Sequence, residues 1–112
     1  MRHLTEQVVA FRDARDWRQF HGLKDEALSL LIEAGELAEH LRWHDDAELR
    51  ARIAADPGPV ADELADVLYW TLLLAHDLGI DPEAAFERKM AQNERKYPVS
   101  ASRGSARKYD AG

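Results

Sequence analysis

The chain contains no cysteine. Disulfides, thiolate zinc sites and a cysteine nucleophile are thereby excluded, and an intracellular, cytoplasmic setting is expected. Long hydrophobic runs are also missing. The longest, Val67 to Ala75, is far shorter than the roughly 20 residues a helix needs to cross a bilayer. The first ten residues include Arg2, His3 and Glu6 and lack the apolar core and small-residue cleavage site of a secretory signal. A general excess of positive charge is absent too. The formal net charge is −6, which argues against a nucleic-acid polymer or an anionic membrane as partner.

Charge is unevenly distributed. From Glu94 onward, Arg95, Lys96, Arg103, Arg107 and Lys108 outnumber Glu94 and Asp110, so this segment carries +3 and residues 1–93 carry −9. An acidic body suits metal ions, and a basic tail suits anionic oxygens. The 112 residues are enough for one domain and one kind of site. We expect a helical catalytic domain over residues 1–98 and a basic tail over 99–112.

Apolar spacing predicts four helices and no strand. The first is expected from Thr5 as N-cap, through Phe11 and Trp17, to His21 and Gly22. A second is expected from Asp25 to about Trp43, and a third from about Val60 to Leu78. Between them lies a polar connection with one short helical option, closed by Pro57, Gly58 and Pro59. Asp81 followed by Pro82 opens a fourth helix, which should stop before Pro98 because proline disfavours α geometry in its predecessor. The tail beyond lacks a helical period and reads as loop. On the second and third helices apolar residues occupy more than half the circumference, more surface than two other helices easily cover. A homo-oligomer is therefore expected.

The narrow remaining stripes carry the chemistry. Glu33 and Glu36 stand at i, i+3 on the second helix, and Glu63 and Asp66 at the same spacing on the third. Like charges so placed repel unless a cation lies among them. Either pair alone is weak evidence, since such pairs are common on solvated faces; two pairs on apolar helices ask for compensation. Oxygen ligands without cysteine suit Mg2+, with Mn2+ as a substitute. A ferritin-like di-iron centre would need glutamate three residues before histidine on two helices. Position 37, which precedes His40 by three, is leucine.

The runs EAGELAE (33–39) and ELADVL (63–68) resemble the ExxE and ExxD signature of the all-α nucleotide pyrophosphohydrolases of the MazG-like superfamily. FRDARDWRQFH (11–21), LRW (41–43), KMAQNERKYPV (89–99) and SRGSARKY (102–109) are similar to the matching segments of its dCTP pyrophosphatase branch. The likeness extends from Phe11 to Tyr109.

This resemblance implies a four-helix bundle assembled as a homodimer or homotetramer, with metal on Glu33, Glu36, Glu63 and Asp66, which also serve catalysis. The implied reaction is attack of water on the α-phosphorus of a nucleoside triphosphate, giving monophosphate and pyrophosphate, with dCTP or a modified pyrimidine deoxynucleotide as substrate. Trp17 and Trp43 are implied to face the base, although ordinary core packing explains each equally. Trp70 stands where the similar enzymes have tyrosine, and Val8 where they often have histidine, so base and sugar preference do not carry over. Lys89, Asn93, Lys96 and Tyr97 match a stretch that reaches phosphate. Arg103, Arg107, Lys108 and Tyr109 are implied to close over the triphosphate, from the same or a neighbouring subunit. His21 fits either a ligand contact or a surface helix stop, whereas His40 and His76 read as structural or surface residues. Two alternatives stay open: a phosphoribosyl-ATP pyrophosphohydrolase, and a non-enzymatic helical interaction protein.

Overall fold

Helix follows the apolar period throughout residues 1–104, the part of the chain described by the structure, a computed structural model. The elements are α1 (Arg2–Ala14), a 3-10 turn (Arg18–Phe20), α2 (Leu23–Leu41), α3 (Asp46–Ala55), α4 (Gly58–Asp77), α5 (Pro82–Lys96) and α6 (Val99–Ser102), with no strand among the described residues. None of these helices is long and apolar enough to cross a membrane.

The described residues form six α-helices where four were expected. The short option in the central connection is taken by α3, because the Asp45 side chain accepts the Glu48 amide at 2.8 Å and caps it. The stretch after Pro98 forms the single turn α6 before Arg103. Two N-cap expectations are also corrected. Thr5 lies inside α1, which begins after Met1. Asp25 lies inside α2, its carboxylate reaching back to accept the Gly22 amide at 3.2 Å. The first helix is shorter than expected. It ends at Ala14, where the Arg12 carbonyl accepts the amides of both Arg15 and Trp17 at 3.2 Å and Asp16 adopts φ 53°. Few residues other than glycine take this left-handed conformation, aspartate being among the more tolerant. Here Gln19 Nε2 donates to the Asp16 carbonyl at 3.1 Å and to its carboxylate at 2.9 Å.

The chain forms two compact units, Met1–Gly79 and a second beginning at Ile80. In the first, α4 packs against α2 and α1. The α2–α4 pair is antiparallel: Glu26 meets Asp77, Glu33 meets Asp66, and His40 meets Glu63. Its apolar centre is Leu72 and Leu73, both fully buried. Two charged residues are buried as completely, Arg12 at 1% exposure and Glu26 at 0%. Arg12 Nη1 donates to Asp77 Oδ2 at 2.6 Å and its Nε to Asp13 at 3.3 Å. Burial, followed by the neighbouring Asp77, raises the pKa of Glu26 to about 7. Asp77 is held below the usual aspartate range: burial, the largest single influence, would raise it, but hydrogen bonds to Arg12 and Glu26 and the charges of Arg12 and His76 together outweigh this.

A carboxyl whose pKa is raised on folding binds its proton more tightly in the native state, so it lowers stability as pH rises from its unfolded value to its folded one. The cost of burying Glu26 should therefore develop between about pH 4.5 and 7. Glu26→Gln removes that titration while keeping shape and a donor toward Asp77. Its melting temperature relative to the parent should rise between pH 5 and pH 8 by several degrees, at about 4–8 °C per kcal/mol for a domain of this size. A pH-independent difference would count against this origin.

The second unit is built on α5. Asp81 Oδ1 accepts the Glu83 and Ala84 amides at 3.0 and 3.3 Å, and Pro82 fills the first helical position, as expected from the sequence. Asp81→Ala should cost about 1 kcal/mol, measured as a shift in the urea midpoint of the helical circular dichroism signal.

Candidate active site

The inward line of α2 is Glu26, Leu30, Glu33, Leu37 and Leu41, spaced at threes and fours as one helix face must be. Acids therefore point toward α4, whereas Leu28, Leu31 and Ile32 lie 47%, 67% and 59% exposed. The acids thus share the inward face with Leu30, Leu37 and Leu41, which puts charge into a helix seam.

Across the seam, Glu63 of α4 joins Glu33 and Glu36. One carboxylate oxygen from each lies within 4.8 Å of the others. Glu33 and Glu63 are half-buried and Glu36 is exposed. Glu33 Oε2 and Glu63 Oε2 are out of contact with solvent and have no hydrogen-bond partner. Burial, then the adjacent Glu63 and Glu36, raises the pKa of Glu33 to about 7. An all-oxygen set of three acids with two unsatisfied buried oxygens is the donor chemistry of a hard divalent cation. Asp66, expected as the fourth ligand, is exposed and lies outside this trio, though close enough to Glu33 to raise its pKa further. His40, read from sequence as structural or surface, brings Nε2 to 3.7 Å from Glu63 Oε1.

Glu33 and Asp66 also border an open cavity of about 310 Å3 whose other walls are Phe11, Trp17, His21, Tyr69 and Trp70. Ligand pockets commonly start at about this size. The rings meet edge to face in one continuous series. Trp17 lies 5.7 Å from Phe11, Phe11 6.1 Å from Tyr69, Tyr69 5.1 Å from Trp70, and Trp70 5.3 Å from His21. The Arg15 guanidinium lies 3.8 Å from the Phe11 ring centre, a cation–π contact. His21 Nδ1 is buried without a partner. Burial raises the Tyr69 pKa, so its phenol keeps its proton at neutral pH.

Of the expected aromatic contacts, Trp17, His21 and Trp70 reach this cavity, and Trp43 does not. Trp43 is 70% exposed, with the Arg42 guanidinium 3.9 Å from its ring centre. Phe11 and Tyr69 were not expected there. The usable signal was the spacing of Tyr69 three residues beyond Asp66, which puts both on one face of α4.

Lys89, Asn93, Lys96 and Tyr97 belong to the second unit. Lys89 Nζ donates to Gln92 at 3.2 Å, and the Tyr97 amide closes α5 on the Asn93 carbonyl at 2.8 Å. Arg103 follows α6, and Arg107, Lys108 and Tyr109 lie outside the described residues.

Comparison with known proteins shows the family and the fold. The chain is 41% identical over 109 residues to dCTP pyrophosphatase 1 of Rattus norvegicus and 38% identical to that of Homo sapiens, in each case over 88% of this chain and 59% of the relative. It thus spans rather more than half the length of these curated relatives. A crystal structure of a pyrophosphatase from Archaeoglobus fulgidus DSM 4304 superimposes with a TM-score of 0.81 at 39% identity, covering 88% of this chain and 92% of that one. The MazG-like family model matches residues 28–111, a region that holds Glu33, Glu36, Glu63 and Asp66 together with all of α4, and the chain belongs to the MazG-like family.

Proposed function

We propose that this protein is a magnesium-dependent nucleoside triphosphate pyrophosphohydrolase that converts dCTP or a modified pyrimidine deoxynucleotide, with water, to the monophosphate and pyrophosphate, removing unwanted nucleotides from the cytoplasmic pool. The observation that carries this reading is the adjacency of the Glu33–Glu36–Glu63 cluster to an aromatic cavity that shares Glu33 as a wall. Similarity to the dCTP pyrophosphatases supports the choice of substrate.

Glu33, Glu36 and Glu63 would hold the divalent ion, with Asp66 completing the acidic set from the cavity wall. Once bound, the ion supplies Lewis acidity toward water and the phosphate oxygens. One carboxylate of this set would take the proton of the attacking water; the pKa of about 7 that burial and the neighbouring acids give Glu33 holds before an ion enters and falls once it is bound. Trp17 and Trp70 offer ring faces to a base, a contact worth about 1–3 kcal/mol for each stacked base. His21 Nδ1 and the Tyr69 hydroxyl offer hydrogen bonds to its edge. Lys89, Asn93, Lys96, Tyr97 and the basic residues of segment 99–112 are the groups proposed for the triphosphate oxygens.

With Mg2+ and dCTP, the purified protein should release pyrophosphate, and orthophosphate release would overturn the reading. Glu33→Gln and Glu63→Gln should each lower kcat at least about 100-fold, the lower end of what a general base contributes. Because a cation displaces the proton on Glu33, apparent Mg2+ affinity should rise from pH 6 to pH 8. Proton uptake or release measured by calorimetry in two buffers checks this, with release expected below pH 7.

The same reading includes a homo-oligomer, a dimer or a dimer of dimers. Leu28, Leu31 and Ile32 on α2 and Leu64 on α4 are each about half exposed or more, an apolar surface of the kind that partners cover. Light scattering should give a multiple of the chain mass, and Leu31→Glu should shift it toward the monomer.

A further inference from the structure

Arg12 is the most fully enclosed charged residue of α1, yet it lies away from the carboxylate cluster. Its partner Asp77 lies eleven residues beyond Asp66 on α4 and Glu26 seven before Glu33 on α2, roughly 16 Å and 10 Å along the helix axes. The acid–base chemistry proposed above makes no use of these three residues. What distinguishes Arg12 is that both of its ends are engaged. The guanidinium is anchored on α4 through the 2.6 Å bond to Asp77, and the carbonyl accepts the Arg15 and Trp17 amides. The residue before it is Phe11, whose ring touches both Trp17 and Tyr69. The cavity wall contributed by α1 and its following turn is therefore referenced to α4 through one buried side chain.

We propose that Arg12 is a positioning residue for the nucleotide pocket, its buried ion pair with Asp77 holding Phe11 and Trp17 against the Tyr69–Trp70 wall. The inference rests on the aromatic cavity being the nucleotide site. Glu26 completes the enclosure. Both its oxygens are buried without a hydrogen-bond partner, as is Asp77 Oδ1, so Arg12 is the cation that faces Asp77 inside this enclosure. Asp13, Arg18 and His76 are the other charged or titratable groups acting on the cluster, together with Tyr69 of α4. Arg12 is thus confined by residues of three helices, whereas an exposed arginine at the same place would leave the wall free to shift.

The experiment compares the full chain with Arg12→Met and Asp77→Asn, and with the exchanged pair Arg12→Asp with Asp77→Arg. Two measurements need no substrate: near-ultraviolet circular dichroism, which reads the fixed packing of the coupled rings, and Mn2+ binding, which reads the carboxylate cluster. Displacement of the wall should reduce the near-ultraviolet signal in both single variants while far-ultraviolet helicity and Mn2+ affinity stay at the parent level. With dCTP and Mg2+, KM should rise about tenfold or more and kcat change less than about threefold, the pattern of lost binding rather than lost chemistry. The exchanged pair should recover part of both the ring signal and KM. If Arg12→Met fails to fold, Asp77→Asn, which keeps shape and an acceptor, carries the test.

An unchanged ring signal in a folded variant overturns the proposal, as does equal loss of Mn2+ affinity and kcat, which marks a general role in stability. If the parent protein neither binds nor hydrolyses dCTP, the nucleotide reading itself fails. The ring signal still reports whether Arg12 holds the wall.

Discussion

Carboxylates that face one another across a helix seam are the constraint around which this protein is organised. Glu33 and Glu63 direct unsatisfied oxygens into the junction of α2 and α4, where water screens poorly and like charges repel more strongly than at a surface. The seam responds in two ways at its two ends. Around Glu26 and Asp77 an internal cation, Arg12, pairs with Asp77, and burial raises the pKa of Glu26 to about 7. Around Glu33, Glu36 and Glu63 no arginine among the described residues forms such an ion pair. The histidine that approaches, His40, stays 3.7 Å from Glu63. One end of the seam holds a buried ion pair, and the other gathers three acids.

The inner face of α2 is shared between the acids Glu26 and Glu33 and the leucines Leu30, Leu37 and Leu41. In an ordinary two-helix layer the apolar stripe faces inward and the charges outward. Here much of the apolar surface of α2 is turned away from α4.

How much of this was legible in the sequence follows from the range of the forces involved. Helix existence and type were legible because the apolar period is local, and so was the Asp81–Pro82 start of α5, whose capping groups are adjacent in the chain. Thr5 and Asp25 misled because a capping residue type is equally at home within the first turns, as Asp25 shows by reaching back to Gly22. The early end of α1 depends on a single left-handed residue, Asp16, which no apolar period records. At the site, the spacing of Glu33, Glu36 and Glu63 was enough, because helical geometry fixes one pair and seam packing the third. The pairing of Phe11 with Tyr69 was invisible for the opposite reason, although the spacing of Tyr69 from Asp66 places those two on one face of α4. Phe11 and Tyr69 become neighbours only once α1 is laid against α4, and nothing in the spacing between positions 11 and 69 encodes that. The buried Arg12 was similarly hidden, since an arginine is mostly an exposed residue and its partner Asp77 is distant in the chain.

The left-handed turn at Asp16 has a consequence for how a ligand would be received. Its conformation is disfavoured for a residue with a side chain, by an amount on the order of 1 kcal/mol, and the two bonds from Gln19 hold it in place. That cost is met when the chain folds, before any ligand arrives. The ring of Trp17 is then already set at the cavity rim, and association need not spend its free energy on freezing a loop. Rigid preorganisation of this kind favours recognition by shape over adaptation to many shapes.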